Sequence, residues 1–270
     1  MDNSEEEKYS LPVGKADLER MTMLGNLYMP YCTEFLLENG LRSGIKVADI
    51  GCGPGNTSLW LTDQVGEAGK VIAIDNSAEQ LSILNNRILE KKIHNISTLH
   101  ADIYQIDQMK EKFDLIFCRF LFIHLTNPLL AIKKLCMLLK PGGSLVIAEL
   151  DNSTWSSYPE NKALKKDTEL LCNVGVQKGV DFCIGPKLYR YLREVNFNLL
   201  NVKIAQPILE GNNRNYLMLK SKAWANVYLE YNLVSSVDIQ YLQKGLCEMI
   251  NNPDYLLIGA KMFLVCAKNT

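Results

Sequence analysis

VADIGCGPGNT, residues 47–57, is the stretch of sequence that decides how this chain folds. Four of the six residues from Ile45 to Ile50 are apolar, a run too short and too continuous for a surface helix, so it predicts a buried parallel strand. Glycines at alternate positions follow, and they let the backbone turn tightly and approach a ligand closely. Residues 56–65 then show a helical pattern with polar residues at its start. The stretch predicts a strand, a glycine turn and a helix, with free backbone N–H groups facing a ligand.

The spacing of these glycines and one nearby carboxylate indicate what kind of ligand the turn would bind. A dinucleotide-binding turn has the pattern G-x-G-x-x-G, whereas this chain has G-x-G-x-G. Asp49 lies two residues before Gly51, where its charge would repel a pyrophosphate and attract an ammonium group. The pattern therefore favours a cationic ligand, with a tight strand-to-helix turn that binds nothing as the alternative.

The string ADIGCGPGNT resembles the first motif of class I S-adenosylmethionine-dependent methyltransferases. The resemblance implies S-adenosyl-L-methionine as the cofactor, with its amino group and sulfonium beside the glycine turn. It also implies that the turn and the residues around it bind this cofactor. These residues are Asp49, Gly51, Cys52, Gly53, Gly55, Asn56 and Thr57.

Acidic residues end the next two predicted strands, and open parallel sheets bind ligands at the carboxyl ends of their strands. Asp75 ends the strand over 69–75, where its carboxylate could accept hydrogen bonds from ribose hydroxyls, and Asn76 follows it. Asp102 follows the strand over 96–100 and resembles the third methyltransferase motif. That resemblance implies contacts to adenine from the Asp102 carboxylate and from the backbone beside it at Ile103. Both aspartates could instead cap the helices that begin after them.

The predicted fourth strand, 112–118, ends at Cys118 and leads to two charged candidates. Cys118 belongs to the expected cofactor-binding set. Arg119 could hold the carboxylate of the methionine moiety or a substrate anion, which places it in both the cofactor-binding and the catalytic sets. His124 is the candidate general base, because imidazole titrates near neutral pH. A histidine that only satisfies the start of the following helix is the competing interpretation.

Composition excludes several classes of protein and partner. The chain has 270 residues, 47% hydrophobic and 22% charged, with a formal net charge of -1, so no net basic field would gather nucleic acid. Its eight cysteines include no C-x-x-C pair and its three histidines do not cluster with them, so we expect no metal site. Because no uncharged apolar run reaches about 18 residues, we expect no membrane insertion, and the acidic start without a signal-peptide core predicts a cytoplasmic protein.

The remaining sequence completes an α/β fold. LKPGGSLVIAELD, residues 139–151, resembles the turn and fifth strand of class I methyltransferases, and strands are predicted over 199–205 and 255–267. The resemblance implies a three-layer Rossmann-like sheet of seven strands in the order 3-2-1-4-5-7-6, with the last strand antiparallel. We expect an N-terminal arm and helix over the pocket in 1–40, the helix kinked or split at Pro30. Residues 41–270 would form the methyltransferase domain, with a helical substrate lid at about 152–195 and 212–250.

These features lead to one functional hypothesis and three alternatives. The hypothesis is methyl transfer from S-adenosylmethionine to an oxygen, nitrogen or carbon of a small, partly apolar molecule. The alternatives are a methyltransferase that acts on protein or RNA, a nicotinamide-dependent oxidoreductase, and a cofactor-binding protein without catalytic activity. The sequence assigns no oligomeric state.

Overall fold

A central sheet of seven strands organises the computed structural model, which describes residues 15–197 and 199–269. Its strands lie in the order β3-β2-β1-β4-β5-β9-β7, with β1 to β5 parallel and β9 antiparallel to both β5 and β7. A separate pair, β6 and β8, is antiparallel. The strands are β1 (Lys46–Ile50), β2 (Lys70–Asp75), β3 (Ile96–His100), β4 (Phe113–Arg119), β5 (Leu139–Asp151), β6 (Ser156–Tyr158), β7 (Leu199–Ala205), β8 (Leu256–Ile258) and β9 (Lys261–Lys268). Counted without β6 and β8, this order confirms the predicted 3-2-1-4-5-7-6 sheet.

Helices cover both faces of the sheet and one end of it. They are α1 (Lys15–Glu38), α2 (Asn56–Val65), α3 (Ala78–Lys91), α4 (Pro128–Cys136), α5 (Lys162–Gln177), α6 (Leu188–Glu194), α7 (Tyr216–Glu230) and α8 (Ser236–Asn251). Within the described ranges, none of these helices has the length and apolar character needed to cross a bilayer. The predicted three-layer Rossmann-like architecture is confirmed.

Alternate residues of each central strand enter opposite cores, as the period of two along a strand requires. Val47 of β1 and Phe117 of β4 pack into the core shared with α1, α2 and α3. Ala48 and Ile116 pack on the other face, in the core shared with α4 and α6. Burial on both faces explains why these strands are continuous apolar runs in the sequence.

Two predicted elements differ in the structure. The predicted strand 255–267 is divided at Gly259, whose N–H donates to the carbonyl of Pro207 (2.8 Å), so that β8 pairs with β6 and only β9 joins the main sheet. The first helix is not split at Pro30, because α1 continues through the proline as a single helix, and the alternative of a kink there stays a prediction. Tyr28 and Phe35, on either side of the proline, are fully buried, so both halves of the helix are packed into the core.

The expected lid region contains elements with two different locations. Helices α5, α7 and α8 pack against one another, and α7 also packs against α1. Helix α6, which lies within the predicted lid range 152–195, instead packs against α4 and β9. Leu188 and Leu192 of α6 pack into the same core as α4, on the face of the sheet that contains Ala48 and Ile116. The helical group at the end of the sheet is therefore α5, α7 and α8.

Candidate functional site

Each of the three alternate glycines is required for a different spatial reason. All three have positive φ, from 52° to 81°, which side chains with a Cβ rarely adopt. A Cβ on Gly51 would lie 3.0 Å from the Leu121 side chain, and one on Gly55 would lie 2.2 Å from the Leu84 side chain. A Cβ on Gly53 would meet no atom within 4 Å. Gly51 and Gly55 therefore allow the turn to pack, whereas Gly53 leaves space in front of the backbone.

Asp75 supports the glycine turn through a hydrogen bond to its backbone. Its carboxylate accepts hydrogen bonds from the N–H of Gly53 (2.8 Å) and from the N–H of Ser77 (2.9 Å). Burial raises the pKa of the carboxyl group, and the N–H groups of Gly53 and Ser77 oppose that rise by stabilising the charged form. Asp75 thus fixes both the turn and the start of α3.

Asp49 is a buried carboxylate on the wall of the same site. Its side chain accepts a hydrogen bond of 2.5 Å from the Ser58 hydroxyl at the start of α2. Burial raises the pKa of Asp49 to about 6, although the Ser58 hydrogen bond and the charge of Arg119 act in the opposite direction. A cation bound beside Asp49 would offset this cost of burial, which fits the predicted ammonium ligand.

A cavity of about 420 Å³ runs from the glycine turn to helices α5 and α7. The glycine-turn end includes Gly53, Glu79 and Gln80, and the opposite end includes Leu171 and Trp224. A volume of this size suits a small-molecule ligand. Eight of the predicted site residues line it: Asp49, Gly51, Cys52, Gly53, Asn56, Thr57, Arg119 and His124.

The other six predicted site residues do not line this cavity. Gly55 packs against Leu84, and Asp75 faces the backbone as described above. Asp102 caps the turn after β3 by accepting from the N–H of Tyr104 (2.7 Å), and the backbone carbonyl of Asn76 contacts His100 Nε2 (2.9 Å).

Cys118 and Ile103 lie in the core on the other face of the sheet. Cys118 occupies the β4 position whose side chain faces α4, because side chains alternate along the strand. Their predicted contacts to a cofactor would therefore have to come from backbone atoms.

Arg119 and His124 both reach the cavity, in different electrostatic environments. Arg119 lies 5.3 Å from the ring centre of Phe120, and its Nη1 donates to the carbonyl of Gly25 on α1 (3.4 Å). Burial, together with the smaller effects of the nearby charges of Lys178 and Arg20, lowers the pKa of His124 to about 4. The imidazole is therefore neutral at physiological pH, able to accept a proton but only weakly basic.

The far end of the cavity is aromatic and was not assigned from the sequence. Phe182, Trp224 and Tyr216 line this end. The ring centres of Phe182 and Trp224 are 5.4 Å apart, and the Tyr216 ring stacks on Trp155, behind the cavity wall, with 5.3 Å between ring centres. Lys220, on the same helix as Trp224, is the buried cation of this wall. The four-residue spacing from Tyr216 through Lys220 to Trp224 places all three on one face of α7, a signal available in the sequence.

The sequence also missed the contribution of α3. Glu79, Gln80 and Ile83 line the glycine-turn end, and the direct junction of this helix with the carboxyl end of β2 could have indicated it. Across 15–197 and 199–269, no three His, Cys, Asp or Glu side chains come close enough to hold a metal ion.

Residues 41–212 match the protein-family model described as methyltransferase domain. Among curated proteins, the chain is 31% identical over 153 residues to the ubiquinone/menaquinone biosynthesis C-methyltransferase UbiE of Cellvibrio japonicus, covering 56% of this chain and 59% of that protein. It is 29% identical over 125 residues to the demethylmenaquinone methyltransferase of Staphylococcus aureus, covering 46% and 51%. The chain thus spans between half and three fifths of the length of these two relatives.

Solved structures share the fold at low sequence identity. A methyltransferase structure from Bacillus halodurans, described as putative in its name, matches with a TM-score of 0.56 and 18% identity, covering 88% of this chain and 97% of that one. Coclaurine N-methyltransferase bound to N-methylheliamine and S-adenosylhomocysteine matches with a TM-score of 0.54 and 17% identity, covering 89% and 72%. At these identities the likeness concerns the fold.

Proposed function

This chain belongs to the methyltransferase-domain family, and from that premise we propose that it transfers a methyl group from S-adenosylmethionine to a small, partly apolar molecule. The observation that carries the proposal is a single cavity with two unlike ends. One end is the glycine turn with a buried carboxylate, and the other is an apolar, aromatic wall. Such a cavity can hold a polar, cationic cofactor and an apolar acceptor side by side.

The glycine-turn end supplies what the cofactor requires. Gly53 leaves room for a ligand against the backbone, and Asp49 offers a buried negative charge to the ammonium group. Arg119, close enough to Asp49 to interact with its charge, would hold the carboxylate of the methionine moiety. Asp75 does not line the cavity itself and would act on the cofactor by positioning the turn through the Gly53 N–H. When bound, the cofactor supplies a methyl group made electrophilic by its sulfonium.

The remaining work of the protein is positioning and exclusion of water. Phe120, Ile123 and Leu150 are apolar residues of the cavity wall. An acceptor held there would face the methyl group in a largely apolar space. His124 would take the acceptor proton where the acceptor is acidic enough for a weak base, and otherwise water would remove it after transfer.

Small-molecule acceptors are favoured over macromolecules by the relatives and by the shape of the site. The Cellvibrio relative is named for ubiquinone/menaquinone biosynthesis, and the Staphylococcus relative is named for demethylmenaquinone. The aromatic wall suits a flat apolar molecule, and the formal net charge of -1 provides no field for RNA. The acceptor atom is proposed to be carbon, in line with the name of the Cellvibrio relative.

A transfer assay tests the proposal. Purified protein is incubated with tritiated-methyl S-adenosylmethionine and a cell extract, which is then separated into small-molecule, protein and RNA fractions. We expect label in the organic-soluble small-molecule fraction, and none with the Gly53→Ala variant. Label confined to protein or RNA would contradict the small-molecule acceptor, and no label in any fraction would favour a non-catalytic cofactor-binding protein.

A further inference from the structure

Lys220 is a buried cation at the aromatic end of the cavity. Its side chain is 1% exposed, and its Nζ lies 2.8 Å from Oδ2 of Asp167 on α5, a carboxylate that is fully buried. The ammonium group also lies 5.2 Å from the ring centre of Trp155. Tyr228 donates from its hydroxyl to Oδ1 of Asp167 (3.3 Å), so the carboxylate is held from two sides.

Stability alone does not explain this pair. Removing two charges from water costs more than a well-packed apolar pair would, so a buried ion pair is weak evidence for a role in stability. The cavity wall at this end is mainly apolar, with Leu171, Phe182 and Trp224, and includes the polar Asn152, whose amide oxygen accepts from the Trp155 indole N–H. A lysine ammonium carries three N–H donors, and the contact with Asp167 uses one of them. The cavity wall therefore presents a hydrogen-bond donor in an apolar setting.

The charge balance of the pair restricts what that donor would bind. Asp167 neutralises Lys220, so a carboxylate placed against Lys220 would bring a second negative charge beside the buried Asp167 carboxylate. A neutral carbonyl or hydroxyl oxygen adds no charge and accepts a strong hydrogen bond from an ammonium group. Arg119 does not compete for this role, because it lies near Asp49 at the other end.

We propose that Lys220 binds a neutral ring oxygen, a carbonyl or an un-ionised hydroxyl, on a flat aromatic or quinonoid acceptor whose ring packs against Phe182 and Trp224. Asp167 is the positioning residue that sets the charge preference of the site. The inference rests on the proposed function for the identity of the cavity, and it adds the class of acceptor and the residue that selects it.

Three probes of similar size separate the possible recognition modes. They are 1-naphthol with a neutral oxygen, 1-methylnaphthalene with a methyl group in its place, and 1-naphthoate with a negative charge. Binding of each is measured by calorimetry to protein saturated with S-adenosylhomocysteine. We expect 1-naphthol to bind at least about tenfold more tightly than 1-methylnaphthalene, since a hydrogen bond to a charged donor contributes about a tenfold factor or more in the equilibrium constant. We expect 1-naphthoate to bind more weakly than 1-naphthol.

Two variants test the hydrogen bond and the charge balance separately. Lys220→Met combined with Asp167→Asn removes both charges and keeps an oxygen for Tyr228, so the preference for 1-naphthol over 1-methylnaphthalene should disappear. Asp167→Asn alone leaves the lysine charge unbalanced, so 1-naphthoate should gain at least about tenfold relative to 1-naphthol. Lys222→Met, at an exposed position of the same helix, is the matched control and should change nothing. If the ion pair were purely structural, neither variant would change the relative affinities of the three probes.

The outcomes separate this inference from the proposed function. If S-adenosylhomocysteine fails to bind the wild-type protein, the proposed function is wrong. If it binds but the naphthol preference survives in the double variant, or none of the three probes binds, the role of Lys220 is wrong while the cofactor assignment stands. Circular dichroism and S-adenosylhomocysteine affinity identify any variant that has lost its fold, and the single Asp167→Asn variant then provides the decisive reversal.

Discussion

At the scale of single residues, the glycine turn shows how identical side chains can meet different requirements. Gly51 and Gly55 are required by the Leu121 and Leu84 side chains that pack against them, and Gly53 faces open space in the cavity. Sequence spacing alone treats the three as equivalent. Their separate roles depend on which neighbours the fold brings to each position.

Gly53→Ala should abolish S-adenosylhomocysteine binding, because the new methyl group would occupy space that the ligand needs. Gly142→Ala is the matched control: Gly142 also has a positive φ (75°) with nothing near its Cβ, but it lies outside the cavity. Both variants should lose about 1 to 2 kcal/mol of stability from backbone strain, and only Gly53→Ala should lose binding by calorimetry. Equal affinity in the two variants would remove Gly53 from the site.

Asp75→Ala should weaken both the fold and the cofactor site. The change leaves the Gly53 and Ser77 N–H groups without their carboxylate, at a cost of about 1 to 3 kcal/mol in the free energy of unfolding. Affinity for S-adenosylhomocysteine should also fall, because the turn loses its support. Urea denaturation and calorimetry measure the two effects, with the exposed Asp63→Ala as control. Normal affinity in a folded Asp75→Ala protein would contradict the positioning role.

At the scale of elements, neighbouring strands hold the segment that follows β4. Glu149 of β5 accepts hydrogen bonds at Oε1 from the N–H groups of Leu121 and Phe122, both at 2.6 Å. That segment carries Phe120, Ile123 and His124 to the cavity. A buried glutamate on β5 therefore sets the position of the cavity wall that follows the neighbouring strand, β4.

The same contact predicts a pH dependence of stability. Burial raises the pKa of Glu149 to about 8 in the folded protein, against an opposing effect of the backbone N–H groups. Because the folded state binds this proton more tightly than the unfolded state, the contribution to stability is complete below about pH 4.5 and is lost as the pH rises to about 8.

Glu149→Gln keeps the acceptor oxygen and does not titrate, so this part of the pH dependence should disappear. Urea unfolding of wild type and variant at several pH values between 5 and 8 gives the free energy of unfolding of each. Subtracting one from the other cancels the contributions of Asp49 and His124, which both proteins share. We expect the wild type to lose stability relative to the variant across this range. Parallel stability curves would show that Glu149 does not change its ionisation state on folding.

At the scale of the whole molecule, the cavity is assembled from segments far apart in the sequence. Arg20 on α1, Gly53 after β1, His124 after β4 and Trp224 on α7 all line it. A ligand that bridges its two ends would therefore connect the sheet to the helical group. Binding should stabilise the chain as a unit.

S-adenosylhomocysteine at 100 times its dissociation constant should stabilise the protein by about 2.7 kcal/mol. For a chain of this size, that corresponds to a rise in melting temperature of about 5 to 10 °C. Differential scanning fluorimetry measures the shift, and NADH at the same concentration should produce none. A shift with NADH alone would support the nicotinamide-dependent alternative over the methyltransferase.

The sequence by itself determined the sheet and the glycine turn, because both depend on local patterns. Continuous apolar runs predicted β1 to β4 to within a residue or two, and alternate glycines predicted the turn at Gly53. Local patterns also placed Asp49 and Arg119 at the carboxyl ends of parallel strands, where the cavity lies. Strand order followed from the resemblance that these motifs carry.

Only the tertiary structure decided which side chains face the cavity, because that depends on contacts between distant segments. In the structure, the Asp75 carboxylate accepts from the Gly53 N–H, Cys118 lies in the opposite core, and α6 lies apart from the helical group. The tertiary structure also paired Lys220 with Asp167 across two helices, a contact of 53 residues' separation in the sequence. No local pattern encodes such a pair, since its charge balance and burial exist only after the helices have packed.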